Sequence, residues 1–439
     1  MRLVLLLSAL WCGAALSAAE LDNESGRYVL SPLPDPVREA RRMDRMQLSD
    51  QQPAGRFVRR GETLVIQVQG LTAGHVLAAT VGFLPMWGSQ QSEQVQRLSE
   101  GENRLRVEQD GPLFFRYNTP ARKSTAPAEV LIELEGGTPL PLFVDANMDG
   151  EDWAQELDAH ADAPYVQLIS EHALITLPAA DHAREPIDDP NETLAVLEQV
   201  LAWQDELAGF DGSSARDRRS PLRFHYLVDF RVSPRDRENF YMYATDQFIG
   251  MLDINFNELT DPDQLREKWG IWHETGHMHQ QHSWTFEALV EVNVNIFSLY
   301  VQERFGQTST LLQVGEEGGN LMDLARDYLA QGAPDYTAEV DEDGEGFFIK
   351  LVMFHQLKET YGWELYQDLH KHFRAHPLPE DAEDSERVDA FVEAMCELTG
   401  HDLRAFFETW GLRASEEAYA RLDAAGLQEL DSDPSEIFE

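Results

Sequence analysis

The chain predicts an α+β protein in three stretches: a β-rich, sandwich-like N-terminal domain, a mainly helical domain carrying a small sheet, and a helical C-terminal subdomain. Three observations predict it. Residues from about Arg56 to Leu142 alternate short apolar runs with Gly and Pro. Near the middle, His273-Glu274-Thr275-Gly276-His277 sits inside a run that reads as helix. From about Thr308 onward the apolar residues recur at helical spacing.

Met1-Arg2, the apolar run Leu3 to Leu16 and Ser17-Ala18-Ala19 read as a signal peptide over 1–19, cleaved near Ala18-Ala19, which implies a secreted or periplasmic protein. That apolar run is too short for a comfortable span, so membrane insertion is not expected. Residues 20–50, Pro-rich near Ser31 to Pro36, read as an N-terminal linker. Over 51–145, Leu64-Val-Ile-Gln-Val, Val76-Leu-Ala-Ala-Thr-Val, Leu105-Arg-Val and Val130-Leu-Ile-Glu-Leu carry the strand signature of the β-rich domain.

The stretch 146–306 holds the chemistry. Leu194, Leu197, Val200 and Leu201 give a helix over Asn191 to Leu207, and Phe224 to Val232 reads as a strand. Thr260-Asp261-Pro262-Asp263 reads as a helix start, with a capping side chain, an early proline and acids at the positive end of the dipole. One helix is then expected through Leu265, Trp269 and His273 to about Gln281. Gly270 and Gly276 weaken it as an isolated helix, so close packing against a neighbour is expected there. After a turn at Ser283-Trp284-Thr285, a second helix is expected over Phe286 to Glu303. Residues 307–425 form the helical subdomain, with helices at Phe347 to Gln356, Trp363 to Phe373 and Glu386 to Leu398, and 426–439 is an acidic tail whose last residues, from Asp431, should fray.

On a helix, positions i and i+4 share a face, so His273 and His277 can grip one divalent cation while Glu274 faces a water beside it. A catalytic zinc takes a third protein ligand and keeps one position open. Glu287 and Glu291 are the candidates. If the two helices fold back about Ser283, equal distance from the turn means equal height. His277 lies six and His273 ten residues before Ser283, and Glu291 eight after it. Glu291 therefore falls level with the gap between the histidines, whereas Glu287 sits beyond His277. Asn295, one turn further on, can hold the outer nitrogen of His273. A third histidine ligand in the elongated motif would need glycine at 280 and histidine at 283; Gln280 and Ser283 stand there, so His279 and His282 are expected to pack or hydrogen-bond.

The string Trp272-His-Glu-Thr-Gly-His-Met-His-Gln280, with Trp284-Thr-Phe286 and Glu291-Val-Asn-Val-Asn-Ile-Phe-Ser-Leu-Tyr300, resembles the enhancin-like metallopeptidases, peptidase family M sixty, whose pattern is HExGHxxQ followed by a glutamate ligand. Softer similarity runs from about 50 to 425, through Phe57 to Ile66, Gly111 to Phe115, Gln167 to Leu177, Tyr241-Met-Tyr-Ala244 and Phe406 to Gly411. The resemblance implies a zincin-type fold, zinc on His273, His277 and Glu291, and Glu274 as general base on zinc-bound water. It also implies a substrate class, O-glycosylated mucin-type protein. One departure is Thr245-Asp246, where the family often has a glycine-containing stretch, so sugar preference does not carry over.

A formal charge of −43 and a pI near 4.5 argue against nucleic acid and anionic membrane surfaces as partners. Only Cys12, inside the signal, and Cys396 are present, which excludes an intrachain disulfide in the mature chain, and Cys396 reads as a buried thiol. Tyr243, His355 and Tyr361 are residue types that can stabilise an oxyanion, though packing is the simpler role for each. Trp87, Trp153, Trp269, Trp272 and Trp284 can stack on sugars or fill core. The rival readings are a glycan-binding protein with a structural metal and a zinc protease indifferent to glycans. Oligomeric state is not legible.

Overall fold

The computed structural model describes the chain except residues 1–20, 85–91, 120–128, 146, 229–240, 316–317, 331, 333, 339–344 and 439. The expected signal peptide, Trp87 and the last four residues of the expected strand at 224–232 lie outside the described residues.

Two sheets face each other in the N-terminal half. One, five-stranded, has the order 21–22, 27–30, 130–135, 63–69, 101–106; the other, six-stranded, runs 138–139, 52–58, 111–119, 76–81, 94–98, with 33–34 added beside 111–119. Along Thr63–Gln69, Leu64, Ile66 and Val68 point inward and the half-buried Val65 and Gln67 between them outward, a period of two. They meet Leu77, Ala79, Leu113, Phe115 and Tyr117 of the opposite sheet in one core.

The segment expected as a linker is built into this body. Arg27–Leu30 pairs with Val130–Glu133, and Tyr28 and Leu30 are fully buried. Asp35 caps the helix Pro36–Met43, with proline in its first turn. A four-residue strand is too short to show a period, so its burial was invisible in sequence.

A third, mixed sheet has the order 142–144, 165–169, 173–178, 224–228, 248–251, 242–245. Its alternating residues serve two cores. Ile169, Leu174, Leu227 and Phe248 pack on the sandwich, while Leu168, Ile175, Tyr226 and Ile249 pack on the helix Pro190–Leu207 and on Ile271 of the metal helix. Met242–Thr245 is the exposed edge of this sheet and lies along the metal helix.

The single helix expected from 260 to 281 is two, with a short helix before them. Asn257–Thr260, Pro262–Glu267 and Trp269–His277 are separate, and Lys268 between the last two is extended. Asp261 does cap Pro262–Glu267, its carboxylate accepting from Asp263 and Gln264 N–H. The metal helix stops at His277 because Gln280 and His279 turn back to bond its own residues. The second helix begins later than expected, as a 3₁₀ turn Glu287–Leu289 followed by Val290–Arg304.

The C-terminal subdomain wraps that helix. Glu345–Tyr361, Glu364–Ala375 and Asp384–Thr399 extend the three expected helices by a few residues. Trp284 stacks on Phe391 at 5.6 Å in a core with Phe297, Phe354 and Trp410. Trp153, Trp272 and Trp284 are thus core. The expected fraying of the last residues does not occur: the Gln356 amide donates to Ser435 and Ile437 carbonyls at 3.1 and 2.9 Å, and Arg326 lies over Phe438. Cys396 is buried and its thiol pKa is pushed by burial up to about 11.

Candidate metal centre

The metal helix and Val290–Arg304 pack closely because Gly276 has no side chain. A Cβ there would come within 3.0 Å of the Val294 carbonyl oxygen and of Val294 Cγ2. Gly270 serves the other flank, where a Cβ would meet Tyr241, Met242 and Glu258 at 3.0–3.1 Å. Both glycines therefore act as the sequence indicates.

Across this tight pair, His273 Nε2 lies 3.1 Å from Glu291 Oε2 and 3.1 Å from His277 Nε2, and His277 Nε2 lies 3.5 Å from the same carboxylate oxygen. The donor atoms of His273, His277 and Glu291 all fall within 4.8 Å of one another. Glu287 is not brought to the cluster; its N–H bonds Asp384. His279 bonds the Thr275 carbonyl and Asp205, the latter at 3.0 Å, and the His282 N–H donates to the Asp44 carbonyl.

The surrounding amides decide which ring nitrogens are free. Asn295 Nδ2 donates to the Glu291 carbonyl, so its Oδ1 accepts from His273 Nδ1 at 2.7 Å and from Trp269 Nε1 at 2.9 Å. Gln280 Nε2 donates to the Val290 carbonyl and to Asn293, so its Oε1 accepts from His277 Nδ1 at 2.6 Å. With both Nδ1 atoms carrying hydrogen, both Nε2 lone pairs face each other and a carboxylate. Three acceptors with no donor between them repel unless a cation lies there, so this donor set fits a divalent metal. A proton on an imidazole is the alternative to a cation, and the charge preferences show the same demand for positive charge. Burial alone would raise the Glu291 carboxyl and lower the His277 imidazole, yet hydrogen bonding and charge between them invert both, leaving Glu291 well below the usual carboxylate range and His277 raised.

Glu274 is buried and feels the charges of His273, His277 and Glu291. Burial raises its carboxyl pKa, partly countered by the two histidines and by the Ala244 N–H of the edge strand. Because Ala244 N–H faces outward to Glu274, Met242, two residues back, also turns its backbone outward, and among the described residues no strand pairs with that side. Tyr243 turns the other way, its ring against Phe248 and Gly250. His355 faces Glu359 in a separate cavity with Glu303 and Trp363, and Tyr361 packs on His401. None of these three is placed as an oxyanion donor.

The profile of the family Peptidase M60, enhancin and enhancin-like, matches residues 136–411, the whole of this centre included. The chain belongs to that family. Among relatives of M60 type similarity, the TRPM8 channel-associated factor homolog of Xenopus laevis is 24% identical over 302 residues, 67% of this chain and 30% of that protein. The chain thus spans about a third of the length of the curated relatives it matches first. A functionally unknown conserved protein from Bacillus anthracis superposes with a TM-score of 0.80 at 28% identity, covering 93% of this chain and 80% of that one. A metallopeptidase solved in complex with Tn antigen superposes with a TM-score of 0.77 at 20% identity, covering 95% and 81%. The α+β architecture is therefore that of M60 metallopeptidases. Sequence reasoning missed the roles of Gln280 and Ala244. The three-residue spacing of Gln280 from His277 was the available signal for the first, whereas nothing local marks Ala244.

Proposed function

We propose that this protein is a secreted or periplasmic zinc-dependent endopeptidase that hydrolyses peptide bonds in O-glycosylated, mucin-type proteins. The observation that carries the reading is the convergence of His273, His277 and Glu291 with a buried Glu274, beneath an open sheet edge that can take an extended peptide. When bound, zinc supplies the positive charge that acidifies a water and polarises a carbonyl. Glu274 accepts the water proton and returns it to the leaving amine, a task suited to a carboxyl whose pKa burial has raised. Outward backbone groups of Met242 and Ala244 hold the substrate extended. Asn295 and Gln280 fix the ring orientations of His273 and His277.

The glycoprotein half of the proposal is supported by the resemblance to mucin-acting M60 enzymes and by the Tn antigen held in a structure of the same fold. A protein of charge −43 suits neutral glycans better than sialylated or sulfated ones at low salt. No helix among the described residues is long and apolar enough to cross a membrane. A glycan-binding protein with a structural metal is the rival reading, and a retained Glu274 beside three ligands speaks against it, since a closed structural site needs no base. The test is digestion of a defined O-glycopeptide and its unglycosylated counterpart by zinc-loaded protein and by Glu274→Gln. Cleavage by the wild type, lost by about 10³-fold or more in a variant with equal zinc, is expected. Zinc binding without cleavage would favour the rival, and equal cleavage of the bare peptide would remove the glycan requirement.

A further inference from the structure

A cavity of about 760 Å³ opens beside His277, on the side away from Gly270. One side of it is aliphatic, formed by Val37 and Ala40 from helix Pro36–Met43, Met46 just after it, Val290 at the start of the second helix, and Leu378, while the rest of the lining is polar or charged. Val37 and Val290 are 42% and 38% exposed, unusual for valines of packed helices, and both face this one space. The polar floor includes Gln280 and Asp246. No phenyl or indole ring is among the described residues that line it, so it lacks the flat platform on which a sugar stacks. Nor is it an anion site: Arg41 is paired with Glu380 at 3.2 Å, Arg387 with Asp384 at 2.9 Å, and Arg45 is sequestered between Asp205 and the rings of Phe210 and Phe224.

The edge strand gives the cavity a direction. Tyr241 lies over Gly270 at the start of the metal helix, Ala244 donates to Glu274, and Asp246 reaches the cavity, so the strand runs toward it. A peptide added antiparallel, the stronger pairing, runs the opposite way. Its residues on the amino side of the scissile bond then lie at the Asp246 end. We propose that this cavity is the subsite for about two or three residues of the substrate polypeptide amino-terminal to the cut, and that it selects aliphatic side chains there. This rests on the peptidase reading and deepens it: the enzyme reads bare sequence on one side of the bond in addition to whatever it reads on the other. Val37, Ala40 and Met46 lie before the family-matched segment, in the N-terminal part of the chain.

The test uses zinc-loaded full-length protein and O-glycopeptides with one constant glycosylated residue on the carboxyl side of the cut. The second and third residues before the cut are varied among Val, Leu, Gly and Asp. The expected result is a kcat/KM about tenfold or more higher for the aliphatic peptides than for Gly or Asp. Val37→Trp fills the cavity from an exposed helix position, and Val37→Glu places a charge at its wall. Each should remove most of that preference by lowering kcat/KM for the aliphatic peptides more than for the Gly peptides, with zinc content unchanged. Leu378→Trp is the second filling variant, on a different segment. Preference absent at these positions, preference found only on the carboxyl side, or an equal loss for all peptides in the filled variants would each overturn the proposal. Cleavage of no peptide at all by the wild type would instead overturn the peptidase reading beneath it.

Discussion

Gly276→Ala tests whether the glycine inside the metal motif sets the spacing of the ligands. A Cβ there would lie 3.0 Å from both the carbonyl oxygen and Cγ2 of Val294 and 3.3 Å from Phe297 Cβ. Relaxed carbon contacts lie at about 3.5–4.0 Å, so the two helices must part by roughly 0.5 Å. Overpacking of this kind costs about 1–3 kcal/mol, and the better helix propensity of alanine offsets about 1 of it. Net stability of the metal-free protein should thus fall only slightly, by roughly 0–2 kcal/mol. Metal binding is hit harder. The histidines stand on one helix and Glu291 on the other, 3.1 and 3.5 Å apart, and ligand distances tolerate only about 0.2 Å. Zinc affinity should drop about 10–100-fold, the range seen when supporting residues of such sites are lost. Competition with a chromophoric chelator measures the affinity, and urea unfolding of the metal-free protein measures stability. An affinity within about twofold of wild type together with a stability gain near 1 kcal/mol would refute the reasoning, since the variant would then show only alanine's helix propensity.

Asn295→Ala removes the acceptor shared by His273 Nδ1–H and Trp269 Nε1–H, and should lower zinc affinity about 10–100-fold by the same chelator assay. The buried Asp44 carboxyl is pushed by burial up to about 6, against hydrogen bonds from Ser283 and the charges of His282 and Arg374. A raised folded pKa means that its contribution to stability is full below about 4 and lost as pH rises through 6, on the order of 3 kcal/mol by neutrality. Asp44→Asn keeps an acceptor and suits the left-handed backbone at φ 58°, so its advantage over wild type in urea melts should be absent near pH 4 and grow toward pH 7; a difference independent of pH would contradict this. Gly411, at φ 80°, would place a Cβ 2.0 Å from the Pro334 carbonyl oxygen, so Gly411→Ala should cost about 3 kcal/mol or more in urea unfolding while leaving zinc affinity of the remaining folded protein unchanged.

Where a signal was local and periodic, the sequence reported it. Leu64, Ile66 and Val68 betray a half-buried strand, and Leu194, Leu197 and Leu201 a helix, because burial imprints its own period on the chain. The height argument placed Glu291 opposite His273 and His277 although it assumed helices longer than the real ones. The three donor atoms do come within 4.8 Å of one another, because His277 ends one helix and Glu291 begins the next, so both stand beside the turn about which the heights were counted. The break at Lys268 has no local signal: Lys268 is extended, and the Trp269 indole just after it donates to Asn295, 26 residues away.

The sequence by itself determined the α+β order of the chain, the HExxH spacing of His273, Glu274 and His277, and a glutamate about two turns beyond a bend. Those follow from residue type and from rise per residue, which are properties of the chain alone. Only the tertiary structure decided that Gln280 orients the His277 imidazole, that the Ala244 N–H meets Glu274, and that the segment at 20–50, expected as a linker, walls a cavity beside His277. Each of these joins residues that no period links, through hydrogen bonds and apolar contacts that exist only once distant strands and helices are packed together.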